Sequence, residues 1–234
     1  MRWPPERSVS VPRIGIVIPT LNEGPSLPLL LADLAPLDAS VEIIVSDGGS
    51  TDDTARIAEA CGARVVHSLR GRALQLRAGA ALCSAPVLVF LHADSRLPAE
   101  TLRRLAALRP ADGWGFFRPQ LAGRSRCLPL VSWCMAWRSR LSGIATGDQG
   151  LYLSRALHDR IGGFPEQPLM EDIEICARLR RVAAPQALAE RVVSSGRRWD
   201  RDGAVRTILL MWWLRLRYRF GADPAVLHRA YYGL

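Results

Sequence analysis

The sequence predicts an α/β chain, with a mostly parallel central sheet flanked by helices and a C-terminal helical appendage. Three observations predict it. Short β-branched runs alternate with helical patterns, at the spacing of βαβ units, as far as about residue 110. Two runs, Ile14–Ile18 and Val87–Leu91, are apolar throughout, as strands buried on both faces are. Polar clusters close three of the runs, at Thr20–Glu23, Asp47–Asp53 and His92–Asp94. Ligands of such sheets bind outside the carboxyl ends of the strands.

Residues 1–12 hold three prolines and read as a loose tail. The 14–18 strand ends in the turn Pro19-Thr20-Leu21-Asn22-Glu23-Gly24. A helix runs from about Ser26 to Leu34, with Pro28 tolerated in its first turn. The β-branched run 41–46 is the next strand. It enters Asp47-Gly48-Gly49-Ser50-Thr51-Asp52-Asp53-Thr54 and then a helix to Cys61. Here two glycines permit a tight turn, Ser50 or Thr51 can cap the helix, and Asp52 and Asp53 suit its positive end. Taken alone, the stretch reads equally well as a capped junction or a ligand site. Ala63–His67 is a strand, Arg72–Leu82 a helix, and 87–91 a strand closed by His92-Ala93-Asp94. A helix then starts at Leu97-Pro98 and runs to about Leu108.

Beyond residue 110 the alternation breaks down. Trp114–Leu121 is strand-like, and Gly147-Asp148-Gln149-Gly150 leads into a short strand, Leu151–Leu153. Gly162-Gly163-Phe164-Pro165 is a turn. Glu171–Val182 is a helix with Ile173, Cys176 and Leu179 at inward spacing. Trp133 and Trp137, four apart, read as a helix core stripe, with stacking on a ligand as the alternative. The terminal helix, about Gly203–Phe220, is apolar around most of its circumference. Packing on the core is the preferred reading, and a membrane interface with snorkelling Arg the other.

The chain has 234 residues, 49% of them hydrophobic, and a net charge of +9, which is globular and basic. All 31 basic residues are Arg, a bias expected of a GC-rich genome. The charge favours anionic partners, but no nucleic-acid motif is present and none is expected as a partner. Five scattered cysteines lack the spacing of a disulfide framework or zinc site. With no apolar signal core at the N-terminus, this predicts a cytoplasmic protein.

Pro19-Thr20-Leu21-Asn22-Glu23, Asp47-Gly48-Gly49-Ser50-Thr51-Asp52, the His92-Ala93-Asp94 strand end and Glu171-Asp172 occur in that order. In this the chain resembles family 2 glycosyltransferases, which have the Rossmann-like GT-A fold. The likeness covers roughly 14–180. Gly71-Arg72, the 147–150 and 162–165 loops, and Arg197-Arg198-Trp199 are similar to a bacterial subgroup labelled arsenosugar-biosynthesis, or radical-enzyme-and-selenium-domain-associated, glycosyltransferases.

The resemblance implies a GT-A domain over 13–200, with a nucleotide-binding half at 13–110 and an acceptor half at 111–200, before C-terminal helices at 201–234. It implies an inverting hexosyl transfer from a nucleotide-sugar donor to a small-molecule or lipid-linked acceptor. Peripheral contact of the C-terminal helix with the inner membrane face is compatible with it. Asp47 would accept a hydrogen bond from the base, for which the imide N–H of uracil suits a carboxylate. Pro19, Thr20, Asn22, Glu23, Gly48, Gly71, Arg72, His92 and Ala93 would complete the donor pocket. Asp94 would ligate Mg²⁺ or Mn²⁺, suited to hard oxygen ligands; alone it also reads as a helix N-cap. His92 stands where relatives carry a first acid. Arg77 stands where they often carry Asn, and reads as a solvated arginine or a diphosphate contact. Asp172 would be the general base, with Glu171 adding like charge beside it; alone, both read as first-turn helix acids. Asp148 and Gln149 would meet acceptor or donor sugar. A nucleotidyltransferase is the alternative enzyme, but it would place a Gly-rich basic loop where Pro19–Glu23 stands. A non-catalytic basic module binding membrane or nucleic acid is the third reading.

Overall fold

The apolar runs become the centre of one seven-stranded sheet, ordered β3-β2-β1-β4-β6-β5-β7. The structure is a computed structural model describing residues 12–38 and 40–233. The expected tail at 1–12 lies outside the described residues except for Pro12. The strands are β1 (Ile14–Thr20), β2 (Val41–Asp47), β3 (Arg64–His67), β4 (Val87–Phe90), β5 (Trp114–Ala122), β6 (Leu151–Ser154) and β7 (Gln186–Ser195). β1 to β4 pair in parallel, β6 runs antiparallel to both neighbours, and β7 is parallel to β5.

The helices are α1 (Leu27–Leu34), α2 (Thr54–Ala60), α3 (Arg72–Leu82), α4 (Ala99–Ala107), α5 (Leu128–Ser142), α6 (Arg155–Arg160), α7 (Glu171–Arg180), α8 (Arg197–Asp202), α9 (Ala204–Arg219) and α10 (Pro224–Tyr232). Side chains of β1 alternate between two cores, because strand residues point to opposite faces. Ile16 and Ile18 pack with Leu27, Leu30 and Leu105, from α1 and α4. Val17 packs with Leu76 of α3 and with Ile175, Cys176 and Leu179 of α7. Each such buried side chain contributes about 1.5–3 kcal/mol.

Several expectations need correction. β1 and β2 run on to Thr20 and Asp47, so both belong to the ladder itself, paired to each other. β7, α6, α8 and α10 were not anticipated. Trp133 and Trp137 are half exposed, at 53% and 50%, and form no core stripe. α9 buries only Thr207 and Leu214, so packing on the core accounts for one side of it. Among the described residues no helix is long and apolar enough to cross a membrane.

Candidate active site

Parallel register lines up the carboxyl ends of the first strands: Thr20 opposite Asp47, and Asp47 opposite His67. Asp47 is 2% exposed. Its carboxylate accepts from the backbone N–H of Gly49 (3.1 Å) and Ser50 (2.9 Å), and from the hydroxyls of Ser50 and Thr20. Burial pushes its pKa up, but these hydrogen bonds outweigh burial and hold it below the usual carboxylate value. The expected outward-aimed base acceptor is therefore turned inward, because four internal donors use up its lone pairs.

The neighbouring polar groups are spent in the same way. Asn22, at φ 55°, accepts from Thr51 N–H at 2.8 Å and donates its own N–H to Ser50 Oγ. Ser50 and Thr51 are thus occupied, and α2 starts after Asp53 with no side-chain cap. Asp52 accepts from Gly24 N–H and from Thr54. Gly48 donates to Thr20 O, and a Cβ there would sit 2.9 Å from Gln75 Cδ. Gln75 in turn donates to the carbonyls of Thr20 and Ser46.

A cleft of about 810 Å³ opens over the tips of β1 and β4. Pro19, Thr20, Glu23, Gly71, Arg72, His92, Ala93 and Asp94 line it, joined by Pro168, Leu169 and Glu171 and by His228 and Tyr232 of α10. Asp47, Asn22 and Gly48 are not on its wall; they hold the turn beneath it. A small cavity of about 30 Å³ shares Arg72, His92 and Glu171 with the cleft and extends to Gly147 and Asp172.

The charges here are arranged in pairs. Arg197 of α8 lies 3.3 Å from Asp94 and 3.5 Å from Glu23, bridging the two carboxylates. Arg72 lies 3.2 Å from Glu171, which is only 2% exposed. Burial pushes the Glu171 carboxyl up, Asp172 adds to the push, and Arg72 opposes it. Asp172 accepts from Gly147 N–H at 3.2 Å and Ile173 N–H at 2.8 Å, which tethers it to the 147–150 loop. Met170, just before these acids, is held at φ 66°, an uncommon conformation for a bulky residue.

Burial, and then the charge of Arg72, push His92 down to about 3. Its ring is neutral, and its 3.8 Å approach to Asp148 is no ion pair. The ring lies against Gly147, where a Cβ would sit 2.1 Å from Nε2. Asp148 is pushed up to about 6, first by burial and then by the charge of Asp94. Gln149 is fully buried: its Oε1 accepts from Ser139 Oγ and Thr146 N–H. It shapes the loop that carries Asp148, and the expected sugar contact is corrected accordingly. Arg77 donates to Phe164 O at 2.7 Å and pairs with Glu166, fastening the 162–165 turn. It is neither a free solvated arginine nor a cleft residue.

Among the described residues no group of three His, Cys, Asp or Glu stands ready for a metal. Asp94 and Asp148 nevertheless offer hard oxygen donors whose charges repel, a repulsion that a divalent cation relieves. The donor type of these two carboxylates suits such an ion, which they would hold. Sequence reading missed Arg197 as the bridge, the α10 wall, and Arg138 and Arg215. The last two lie near Asp172, and Arg138 Nε is buried without a partner. Asp223-Pro224, a cap followed by an N1 proline, was the available signal for α10.

Residues 15–125 match the model described as Glycosyl transferase family 2. An uncharacterised glycosyltransferase of Mycobacterium tuberculosis is 38% identical over 95 residues, 40% of this chain and 42% of that protein. An undecaprenyl-phosphate 4-deoxy-4-formamido-L-arabinose transferase of Sodalis glossinidius is 33% identical over 162 residues, 62% of this chain and 49% of that protein. The chain thus spans less than half the length of these relatives. Glucosyl-3-phosphoglycerate synthase of Mycobacterium tuberculosis, solved with Mn²⁺, UDP and phosphoglyceric acid, superposes with a TM-score of 0.62 at 24% identity, covering 91% of this chain and 80% of that one. The match to the family 2 glycosyltransferase model thus covers residues 15–125, and the chain as a whole has the GT-A fold.

Proposed function

We propose that the chain is a glycosyltransferase that moves a sugar from a nucleotide-diphosphate sugar, a UDP-sugar by preference, to an acceptor oxygen with inversion. One observation carries the reading: the cleft over the strand tips gathers Glu23, Asp94, Arg72 and Glu171, with Asp172 on the cavity joined to it. The donor lies over Pro19, Thr20 and Gly71. Asp47 acts indirectly, by fixing Thr20 and the Gly48–Ser50 turn that floors the base pocket. Arg72 faces the diphosphate.

In the transfer, the acceptor oxygen bonds to the anomeric carbon as the bond from that carbon to the diphosphate oxygen breaks. The electron pair leaves with the diphosphate. Where the acceptor oxygen carries a proton, Asp172 takes it, a contribution of roughly 10²–10⁴-fold. Gly147 N–H and Ile173 N–H hold that carboxylate in place. Asp94 and Asp148 would hold a divalent ion, Mg²⁺ or Mn²⁺, which when bound neutralises charge on the leaving diphosphate. Arg197, paired with Asp94 and Glu23, offsets part of their charge before substrate arrives.

The Mn²⁺ and UDP named for the mycobacterial synthase support the donor class, and the undecaprenyl-phosphate relative supports a lipid-linked acceptor. The arsenosugar or selenium-domain subgroup remains part of the proposal, resting on the loop motifs alone. The test is calorimetric binding and turnover with a panel of UDP- and GDP-sugars plus Mn²⁺. Binding and slow hydrolysis of at least one donor is expected; no binding by any donor contradicts the reading.

A further inference from the structure

Two helices beside the cleft turn apolar faces to the outside. On α5, Leu130, Trp133, Trp137 and Leu141 recur at helical spacing, and all are at least half exposed. Its inward face is Leu128, Val131, Ser132 and Ser139. On α9, Val205, Leu209, Trp212 and Leu216, continued by the C-cap residue Phe220, form the same kind of stripe, opposite the buried Thr207 and Leu214. Scattered exposed apolar residues are ordinary, but two aligned stripes carrying tryptophan are not.

The helices are tied at two points. Asp200 of α8 accepts from the backbone N–H of Arg124 and Ser125, just ahead of α5, and α8 leads directly into α9. Farther along, Arg138 of α5 and Arg215 of α9 are near enough to repel one another. Leu128 to Arg138 and Ala204 to Arg215 are both advances of about 15 Å at 1.5 Å per residue. The two helices therefore run in the same direction, with their inner faces on the protein and their stripes on one side of it.

Charge identifies what covers that side. α5 and α9 contain six Arg and no Asp or Glu. On a helical wheel Arg206 and Arg217 flank one edge of the α9 stripe and Arg219 the other, while Arg215 turns toward Asp172. An apolar stripe with tryptophans and flanking Arg is the pattern of a helix lying in an anionic lipid interface, its long cations snorkelling to the headgroups. A second copy of the chain would bring the same positive rim against itself.

We infer that α5 and α9 together form a docking face for an anionic bilayer surface, which presents the Asp172 side of the site to a lipid-borne acceptor. The inference rests on the glycosyltransferase reading only for what the face delivers. Docking itself needs no donor and no turnover.

The test is co-sedimentation of the full chain with phosphatidylcholine vesicles, with and without phosphatidylglycerol. Binding to the anionic vesicles, weakened by salt, is expected. The pairs Leu130→Ser/Leu141→Ser on α5 and Leu209→Ser/Trp212→Ser on α9 should each weaken it by about tenfold or more. These positions are exposed, so thermal unfolding and nucleotide-sugar binding should stay as in the parent, which keeps this test separate from that of the transfer reaction. No binding to anionic vesicles, or loss in only one helix's variant, overturns the inference. So does a dimer, seen by light scattering, that both variants render monomeric.

Discussion

Replacing Arg72 with Met should destabilise the protein in a pH-dependent way. Arg72 lies 3.2 Å from a Glu171 carboxylate whose side chain is 3% exposed. At an effective dielectric of about 20, that separation corresponds to roughly 5 kcal/mol of attraction. Removing one partner of a buried pair typically costs about 3–5 kcal/mol, because the other charge is stranded. Arg72 keeps 39% of its side chain exposed, so water screens the pair and the lower end, about 3 kcal/mol, applies. For a chain of this size that is a fall in Tm of about 6–12 °C.

The sign with pH follows from Glu171. Burial raises its carboxyl above the unfolded value of 4.5, so folding disfavours the charged form. Such a group penalises folding increasingly as pH rises from its unfolded pKa to its folded one. Without Arg72 the folded value climbs further. The gap between Arg72→Met and the parent should therefore be smaller near pH 5 than near pH 8. Arg72→Met/Glu171→Gln should recover most of the loss, read by thermal and denaturant unfolding at both pH values. A gap below about 1 kcal/mol at pH 8, or one equal at both pH values, refutes the assignment of a stranded buried charge.

Asp172→Asn should lower kcat by roughly 10²–10⁴-fold for an acceptor that gives up a proton, with donor affinity unchanged by calorimetry. With no ion bound, burial and the charge of Asp94 hold Asp148 up at about 6, so Mn²⁺ affinity by calorimetry should fall as the pH drops through about 6, and Asp148→Asn should both weaken binding and lose that dependence. Arg197→Ala frees Asp94 and Glu23 from a partly exposed cation. Mn²⁺ should then bind up to about fivefold more tightly by calorimetry, since exposed pairs contribute at most about 1 kcal/mol. Unchanged affinity would mean that Arg197 does not compete for these carboxylates.

The first half of the fold was legible because its strands are continuous apolar runs with polar punctuation. Ile14–Ile18 and Val87–Leu91 have no other economical reading than central parallel strands. β7 was not legible: Gln186-Ala187-Leu188-Ala189-Glu190 is half exposed at a sheet edge and carries no strong period. α9 misled because a helix apolar all round suggests burial, whereas here an outer stripe is left bare.

At the site, types and order of residues were readable but directions were not. Asp47 looked outward from a strand tip, yet the N–H groups of Gly49 and Ser50 and two hydroxyls draw it in. Gln149 looked like a ligand contact, yet Ser139, ten residues earlier on α5, claims its amide. Arg197 reaches Asp94 across 103 positions of sequence, a pairing that no local pattern can carry.

The most direct test of the transfer account is a crystal structure with UDP and Mn²⁺ bound. It should place the diphosphate in the cleft between Arg72 and Asp94, the ion on Asp94, and Arg197 released from that carboxylate. UDP bound elsewhere, or an ion that leaves Asp94 still paired to Arg197, would contradict it.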